Sequence, residues 1–211
     1  MAMALSLVNH IKEYNGLVCD LSYTRSGKAN SVTPVFHELS TLTWGVIGLG
    51  GIGKCVAKMA EGLGFNVIAY NRTPNPLYNC MALDELCERA DVISIHLPLT
   101  DETREIINKE KISKMKSTTV IINVARGAVV NEKDLAEAIK NEKIAGIGID
   151  VYDGEPMRED SPYVEIMDRQ NVILTPHMAW AAYETRMRCM SEICENIKVF
   201  FEGGKRNRVD I

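Results

Sequence analysis

Short apolar runs recur along the chain, and most are followed by a segment whose apolar positions return every three or four residues. Six runs stand out: Thr43–Gly48, Asn66–Tyr70, Asp91–His96, Thr118–Asn123, Ala145–Asp150 and Asn171–Leu174. Runs such as Thr118-Thr119-Val120-Ile121-Ile122 do not alternate, which predicts strands covered on both faces. The segments between them predict helices over about Gly51–Leu63, Leu83–Arg89 and Glu132–Lys140, and a broken helix across Asp101–Lys114. The fifth connection, Asp153 to Arg169, is irregular and contains proline. Strands separated by helices form βαβ units with right-handed crossovers, so the expected fold is α/β with a doubly wound parallel sheet of about six strands.

Both ends fall outside this alternation. Met1 to Val8 reads as a helix that is apolar nearly all round, which predicts burial. It has no capping residue before it, so the sequence is expected to continue upstream. Gly16 to Leu42 is long, polar and poorly periodic, the character of a partner-binding arm. Ala181 to Phe201 predicts an amphipathic helix with Met187, Met190, Ile193, Ile197 and Phe200 on one face, expected to pack on a core. The expected organisation is a helix and arm over 1–42, a ligand-binding α/β domain over 43–180, and a C-terminal helix and tail over 181–211.

The first unit of the alternation carries the most chemistry. Between the strand Thr43–Ile47 and the next helix lies Gly48-Leu49-Gly50-Gly51-Ile52-Gly53, the G-x-G-x-x-G spacing. Its first glycine permits the tight turn, the second lets a diphosphate approach the backbone, and the third lets helix and strand pack closely. The helix N-terminus that follows offers unpaired N–H groups to an anion. In this strand–turn–helix–strand setting the motif predicts a Rossmann-type dinucleotide site. Another nucleotide-like ligand, such as a methyl donor, is the rival on the same fold.

Composition narrows the function classes. A net charge of −4 and no basic block argue against a nucleic-acid partner. The six cysteines show no C-x-x-C pair and no metal-ligand spacing with histidine, which fits reduced thiols in a cytoplasmic protein and predicts no metal. No run approaches the ~20 apolar residues a membrane span needs.

The distinctive polar residues fall just past predicted strand ends: Asn71 and Arg72, His96 and Pro98, Asn123 and Arg126, Asp150 and Glu155, and His177. Open α/β sheets bind ligands at that edge. His177, in Thr175-Pro176-His177, is aimed there by its strand; the alternative is a surface histidine. Glu155 sits in a turn that serves equally well as a solvated loop. If the two meet, the carboxylate orients the imidazole and favours its protonated form, giving a proton donor for a carbonyl. Arg126 is either a surface cation or a fork for a carboxylate. His96 reads as structural.

These pieces resemble the NAD-binding half of D-isomer-specific 2-hydroxyacid dehydrogenases. The matching stretches are Trp44–Gly53, His96-Leu97-Pro98-Leu99-Thr100, Ile122–Gly127, Gly148–Pro156 and Thr175-Pro176-His177, in the family's order. His177-Met178-Ala179-Trp180-Ala181 is similar to the glycerate dehydrogenase and hydroxypyruvate reductase branch. The resemblance implies hydride transfer from a reduced nicotinamide to a small 2-oxoacid, with His177 and Glu155 as proton donor and Arg126 as substrate anchor. It implies that Gly48, Leu49, Gly50, Gly51, Ile52 and Gly53 cradle the diphosphate and that Asn71, Arg72 and Thr73 face the ribose. Leu97, Pro98, Thr103, Val124, Ala125, Arg126, Asp150, His177 and Ala179 complete the coenzyme contacts, Asp150 orienting the nicotinamide amide. It also implies a homodimer through the first helix and arm.

Two departures qualify the match. Asn71-Arg72-Thr73 stands where NAD-users of this fold place Asp or Glu, so the coenzyme is NAD(P)H with a lean to NADP. The family's N-terminal substrate lobe has no counterpart in this sequence. The alternative to an active reductase is therefore a dinucleotide-binding fragment or regulatory remnant without turnover.

Overall fold

The computed structural model describes residues 1–209. Helices α1 (Ala2–Val8), α2 (Ile11–Cys19) and α3 (Ser22–Arg25) precede the sheet. The alternation then runs β1 (Thr43–Ile47), α4 (Gly51–Gly62), β2 (Asn66–Tyr70), β3 (Asn79–Cys80), α5 (Leu83–Arg89) and β4 (Val92–Ile95). It continues with α6 (Lys109–Lys114), β5 (Val120–Asn123), α7 (Glu132–Lys140), β6 (Gly146–Ile149) and β7 (Val172–Leu174), and α8 (Tyr183–Phe201) follows. Single 3-10 turns lie at Leu39–Thr41, Gly127–Val129 and Pro162–Ile166.

The strands form one sheet in the order β3-β2-β1-β4-β5-β6-β7, every pairing parallel. The order reverses at β1, and helices cover both faces. On one face Ile47, Ile93, Ile95, Ile121 and Ile147 pack with Leu86 of α5, Leu135 and Ile139 of α7 and the buried Tyr163. On the other, Trp44, Val46, Val92, Val120 and Ile122 pack with Val56, Ala57 and Ala60 of α4 and with Ala4 and Leu7 of α1. Trp44 meets Phe65 edge-on at 5.0 Å, and its indole N–H donates to Ser94 Oγ at 2.8 Å. That bond satisfies the indole in the core.

The buried N-terminal helix is present, and the sequence of β6 explains how it fits. A Cβ at Gly148 would lie 2.9 Å from Met3 Cβ, and one at Gly146 would lie 3.3 Å from Leu7. Glycine at alternate positions of β6 leaves the groove in which α1 lies.

Three expectations are corrected. The two-residue strand β3 is too short to leave an apolar run, and the sheet has seven strands among the described residues rather than about six. The supposed loop from Gly16 begins inside α2 and contains α3; neither helix buries a residue, so neither shows a strong apolar period. The apolar face of α8 does not enter a core: Met187, Met190, Ile193, Ile197 and Phe200 are 43–63% exposed. The described residues divide into two compact units, the first over Met1–Pro176 and the second beginning at His177, and the second has no sheet of its own for α8 to cover.

Candidate coenzyme and substrate site

The parallel registers align the last residues of the long strands in one row. Tyr70 pairs with Ile47, Ile47 with Ile95, Ile95 with Asn123, Asn123 with Ile149, and Ile149 with Leu174. Asn71, Gly48, His96, Val124, Asp150 and Thr175 therefore each stand one step beyond the same line. The site residues of the first unit meet at one edge because six strands stop in step.

Each glycine of the turn meets a separate demand. Gly48 has φ +96°, and a Cβ there would lie 2.9 Å from the His96 carbonyl oxygen. At Gly53 a Cβ would fall 1.9 Å from the Gly48 carbonyl oxygen, so only glycine lets α4 pack this close to the turn. Gly50 and Gly51 face open space, with nothing within 4 Å of an added Cβ. No side chain caps α4, and Gly50 precedes its first turn. Free N–H groups, a helix dipole and an open backbone surface suit a diphosphate. Ile52 is exposed beside them.

Asn71 holds this turn in place. Its Oδ1 accepts from the Leu49 N–H at 3.0 Å, and its Nδ2 donates to the Thr73 carbonyl at 2.7 Å. Arg72 and Thr73 are exposed. The Arg72 charge reaches Glu102, whose carboxyl sits below its ordinary range first through the Thr100 hydroxyl bond and further through Arg72. Across the turn, Leu97 would meet a Cβ on Gly48 at 2.9 Å. The Thr103 hydroxyl donates to the Pro98 carbonyl at 2.7 Å and accepts from the Thr100 N–H at 2.8 Å, closing the loop after β4. His96 Nε2 lies 3.0 Å from Ser94 Oγ, and burial pushes its pKa down to about 4. It is a neutral structural histidine at neutral pH.

The turn after β5 is fixed by the buried Asn123, one of the polar residues the sequence places at this strand end. Its Oδ1 accepts from the Ala125 N–H at 3.1 Å and its Nδ2 donates to the Arg126 carbonyl at 3.0 Å. Arg126 is exposed, and one of its N–H groups donates to the Ala125 carbonyl at 2.6 Å. Ala125 is buried and Val124 half-buried.

Beyond β6, Asp150 is buried and accepts from the Thr175 hydroxyl. Glu155 is exposed; its Oε1 accepts from the Tyr152 N–H at 3.2 Å. Glu132, at the start of α7, accepts from the Asp153 N–H at 2.7 Å, and burial raises its pKa. His177 opens the second unit with φ +50°, a left-handed backbone that few non-glycine residues adopt. Ala179 follows in that unit. The first unit thus gathers the glycine turn, Asn71, Arg126, Asp150 and Glu155 at one edge, and His177 is joined to that edge by the Thr175-Pro176 link. Glu132 and Tyr152 were missed, and Asn123 was placed at this edge without its role in the turn. Their types at strand ends and helix starts signal turns, and only the fold shows which turns they hold. No cluster of three metal-ligating side chains exists among the described residues.

The geometry has matching relatives. Residues 1–179 match the model of the D-isomer specific 2-hydroxyacid dehydrogenase NAD binding domain. A hydroxypyruvate reductase of Blautia hydrogenotrophica is 36% identical over 215 aligned residues, covering all of this chain and 66% of that protein. A glycerate dehydrogenase of Methylorubrum extorquens is 36% identical over 82% of this chain and 54% of its own length. The solved D-lactate dehydrogenase of Aquifex aeolicus, complexed with NAD and lactic acid, superposes with a TM-score of 0.87 at 34% identity, covering 96% of this chain and 64% of that one. The chain spans less than two thirds of the length of each of these proteins. With residues 1–179 matched to that model, the chain belongs to the D-isomer specific 2-hydroxyacid dehydrogenases and carries their NAD binding domain.

Proposed function

We propose that this chain is the coenzyme-binding part of an NAD(P)-dependent reductase of small 2-oxoacids, of the hydroxypyruvate or glyoxylate kind. The observation that carries the reading is the row of strand tips, which sets an anion-binding helix start, an arginine and two carboxylates along one edge. The relatives named hydroxypyruvate reductase and glycerate dehydrogenase support the substrate class.

The bound dinucleotide would supply the hydride. The residues do the rest. The first-turn N–H groups of α4 and the bare backbone at Gly50 hold the diphosphate. Asp150, steadied by Thr175, accepts from the nicotinamide amide. Arg126 keeps one N–H on the Ala125 carbonyl and offers the others to the substrate's carboxylate. Glu155 orients His177, which protonates the oxygen as the carbonyl is reduced. Asn71 carries no charge to repel a 2′-phosphate and Arg72 adds a cation, which supports NADPH as the preferred coenzyme. α2 and the arm support a homodimer through their exposed apolar side chains, among them Val35 and Phe36.

The test pairs coenzyme titration with steady-state oxidation on hydroxypyruvate, glyoxylate and pyruvate. Turnover is expected, and His177→Ala should lower kcat by about 10²- to 10⁴-fold with coenzyme affinity kept. Near-normal rates in that variant remove His177 from the mechanism. Coenzyme binding without oxidation by the unaltered chain marks it instead as a binding module, and tight binding of a methyl donor displaces both readings.

A further inference from the structure

Tyr152 stands where three of the site's segments meet. Its backbone N–H donates to Glu155 Oε1 at 3.2 Å. Its hydroxyl donates to the Thr175 carbonyl at 2.9 Å, two residues before His177. Its own carbonyl carbon would lie 1.9 Å from a Cβ on Gly127, so the turn that carries Arg126 is pressed backbone to backbone against it. The ring packs edge-on to the buried Tyr163 at 6.3 Å, which limits its freedom to swing. Burial, followed by the charges of Asp150, Glu132 and Glu155, raises the phenol's pKa, so the hydroxyl keeps its proton and its role as donor. The neighbouring Asp150–Thr175 bond ties the same two strand exits a second time.

We infer that Tyr152 is a positioning residue for the proton-donating pair. It is not among the residues proposed to hold coenzyme or substrate. Its hydroxyl fixes the height at which the chain leaves β7, its N–H fixes the Glu155 carboxylate, and the two together set how the imidazole of His177 is presented. The inference rests on the proposed pairing of Glu155 with His177. A half-buried tyrosine near a core is ordinarily explained by packing. Packing alone does not require the phenol oxygen to reach a strand-exit carbonyl while the same residue's N–H holds the site carboxylate.

The experiment follows the imidazole directly. The chain has four histidines, so their Cε1–H correlations in a histidine-labelled sample are few enough to assign. Spectra are compared for the unaltered chain, Tyr152→Phe, Tyr163→Phe and Glu155→Gln, each with its NADH dissociation constant. Tyr152→Phe removes one oxygen. It is expected to displace the His177 signal in the direction that Glu155→Gln does, to leave His10, His37 and His96 in place, and to leave NADH affinity unchanged. Tyr163→Phe, which removes the hydroxyl of the ring packed beside it, should leave the His177 signal in place. If Glu155→Gln moves the signal and Tyr152→Phe does not, the positioning role is overturned and the donor pair stands. If neither moves it, the pair itself falls and this inference with it. A displacement of all four histidines by Tyr152→Phe, or an equal displacement by Tyr163→Phe, reduces Tyr152 to general structural support.

Discussion

Both polar atoms of the Asn71 amide bond to backbone, so the residue that stands in place of the usual acid braces the glycine turn. Arg72 is the exposed cation there, and its field already reaches Glu102. Arg72→Ala should weaken NADPH by about fivefold, the yield of one exposed charge contact, and leave NADH unchanged. Fluorescence titration with both coenzymes decides; equal or tighter NADH binding by the unaltered chain overturns the NADP preference. His96 sets a second test. Its folded pKa is about 4 because burial disfavours the charged ring, against an ordinary 6.5. A depressed pKa means that the unfolded chain binds the proton more readily. Its stabilising contribution is full above pH 6.5 and is lost as pH falls from 6.5 through 4, to a limit of about 3 kcal/mol. Urea unfolding across that interval should show the decline, and His96→Gln should flatten it. A third test concerns thiols. Burial pushes the Cys87 pKa up to about 12, whereas Cys19, Cys55, Cys189 and Cys194 are exposed. Maleimide should label the exposed four in the native protein and reach Cys87 only on unfolding; native labelling of Cys87 would show that its site opens.

The turn between β1 and α4 separates folding from binding within six residues. An alanine at Gly53 places its Cβ 1.9 Å from a backbone oxygen, and backbone cannot rotate away as a side chain does. Gly53→Ala should cost about 3 kcal/mol or more and lower Tm accordingly. At Gly50 the backbone is extended and nothing lies within 4 Å, so Gly50→Ala should fold normally and lose coenzyme affinity as the methyl fills the diphosphate's approach. Calorimetry and NADH titration on both variants check the contrast; equal stability loss in the two would reject it. These same glycines were legible in the sequence, since strand, turn, helix and strand follow one another without interruption. Asn66–Tyr70, Leu83–Arg89 and Glu132–Lys140 were legible to the residue because each carries a full apolar period. β3, α2 and α3 were not, being short or without a buried face. Burial of α8 was misjudged for a related reason: periodicity shows that a helix has an apolar face, and it cannot show what that face meets. The strand-tip positions were legible from the order of elements. The bonds from Tyr152 to Thr175, from Thr175 to Asp150 and from Asp153 to Glu132 were not, because they join residues that only the packing of separate elements brings together.

At the scale of the whole molecule, the strand starts carry a surface of a different kind from the strand tips. Lys12 donates to the carbonyls of Arg169 and Val172 at 2.7 and 3.1 Å, tying α2 to the entry of β7. The Tyr14 hydroxyl donates to the Pro34 carbonyl, and its ring meets Phe36 edge-on at 6.0 Å, which draws the arm back along α2. Between α1, the arm and the starts of β5 and β6 lies a cavity of about 430 Å³, lined in part by Leu7, Val35, Phe36 and Leu42. Ile11, Val18, Leu21, Val32, Val35 and Phe36 remain at least half exposed. Apolar residues gathered on one segment mark an interaction surface, and a patch that binds its own copy closes about a two-fold axis. We propose that this segment is the interface of a homodimer. Sedimentation equilibrium should then give twice the 23.5 kDa chain mass. A Val35→Glu, Phe36→Glu double variant should give the monomer and still bind NADH, because the arm lies at the strand starts and the glycine turn at the strand tips. A monomer in the unaltered chain would reject the dimer outright. A dimer that survives both charges would move the interface to another surface.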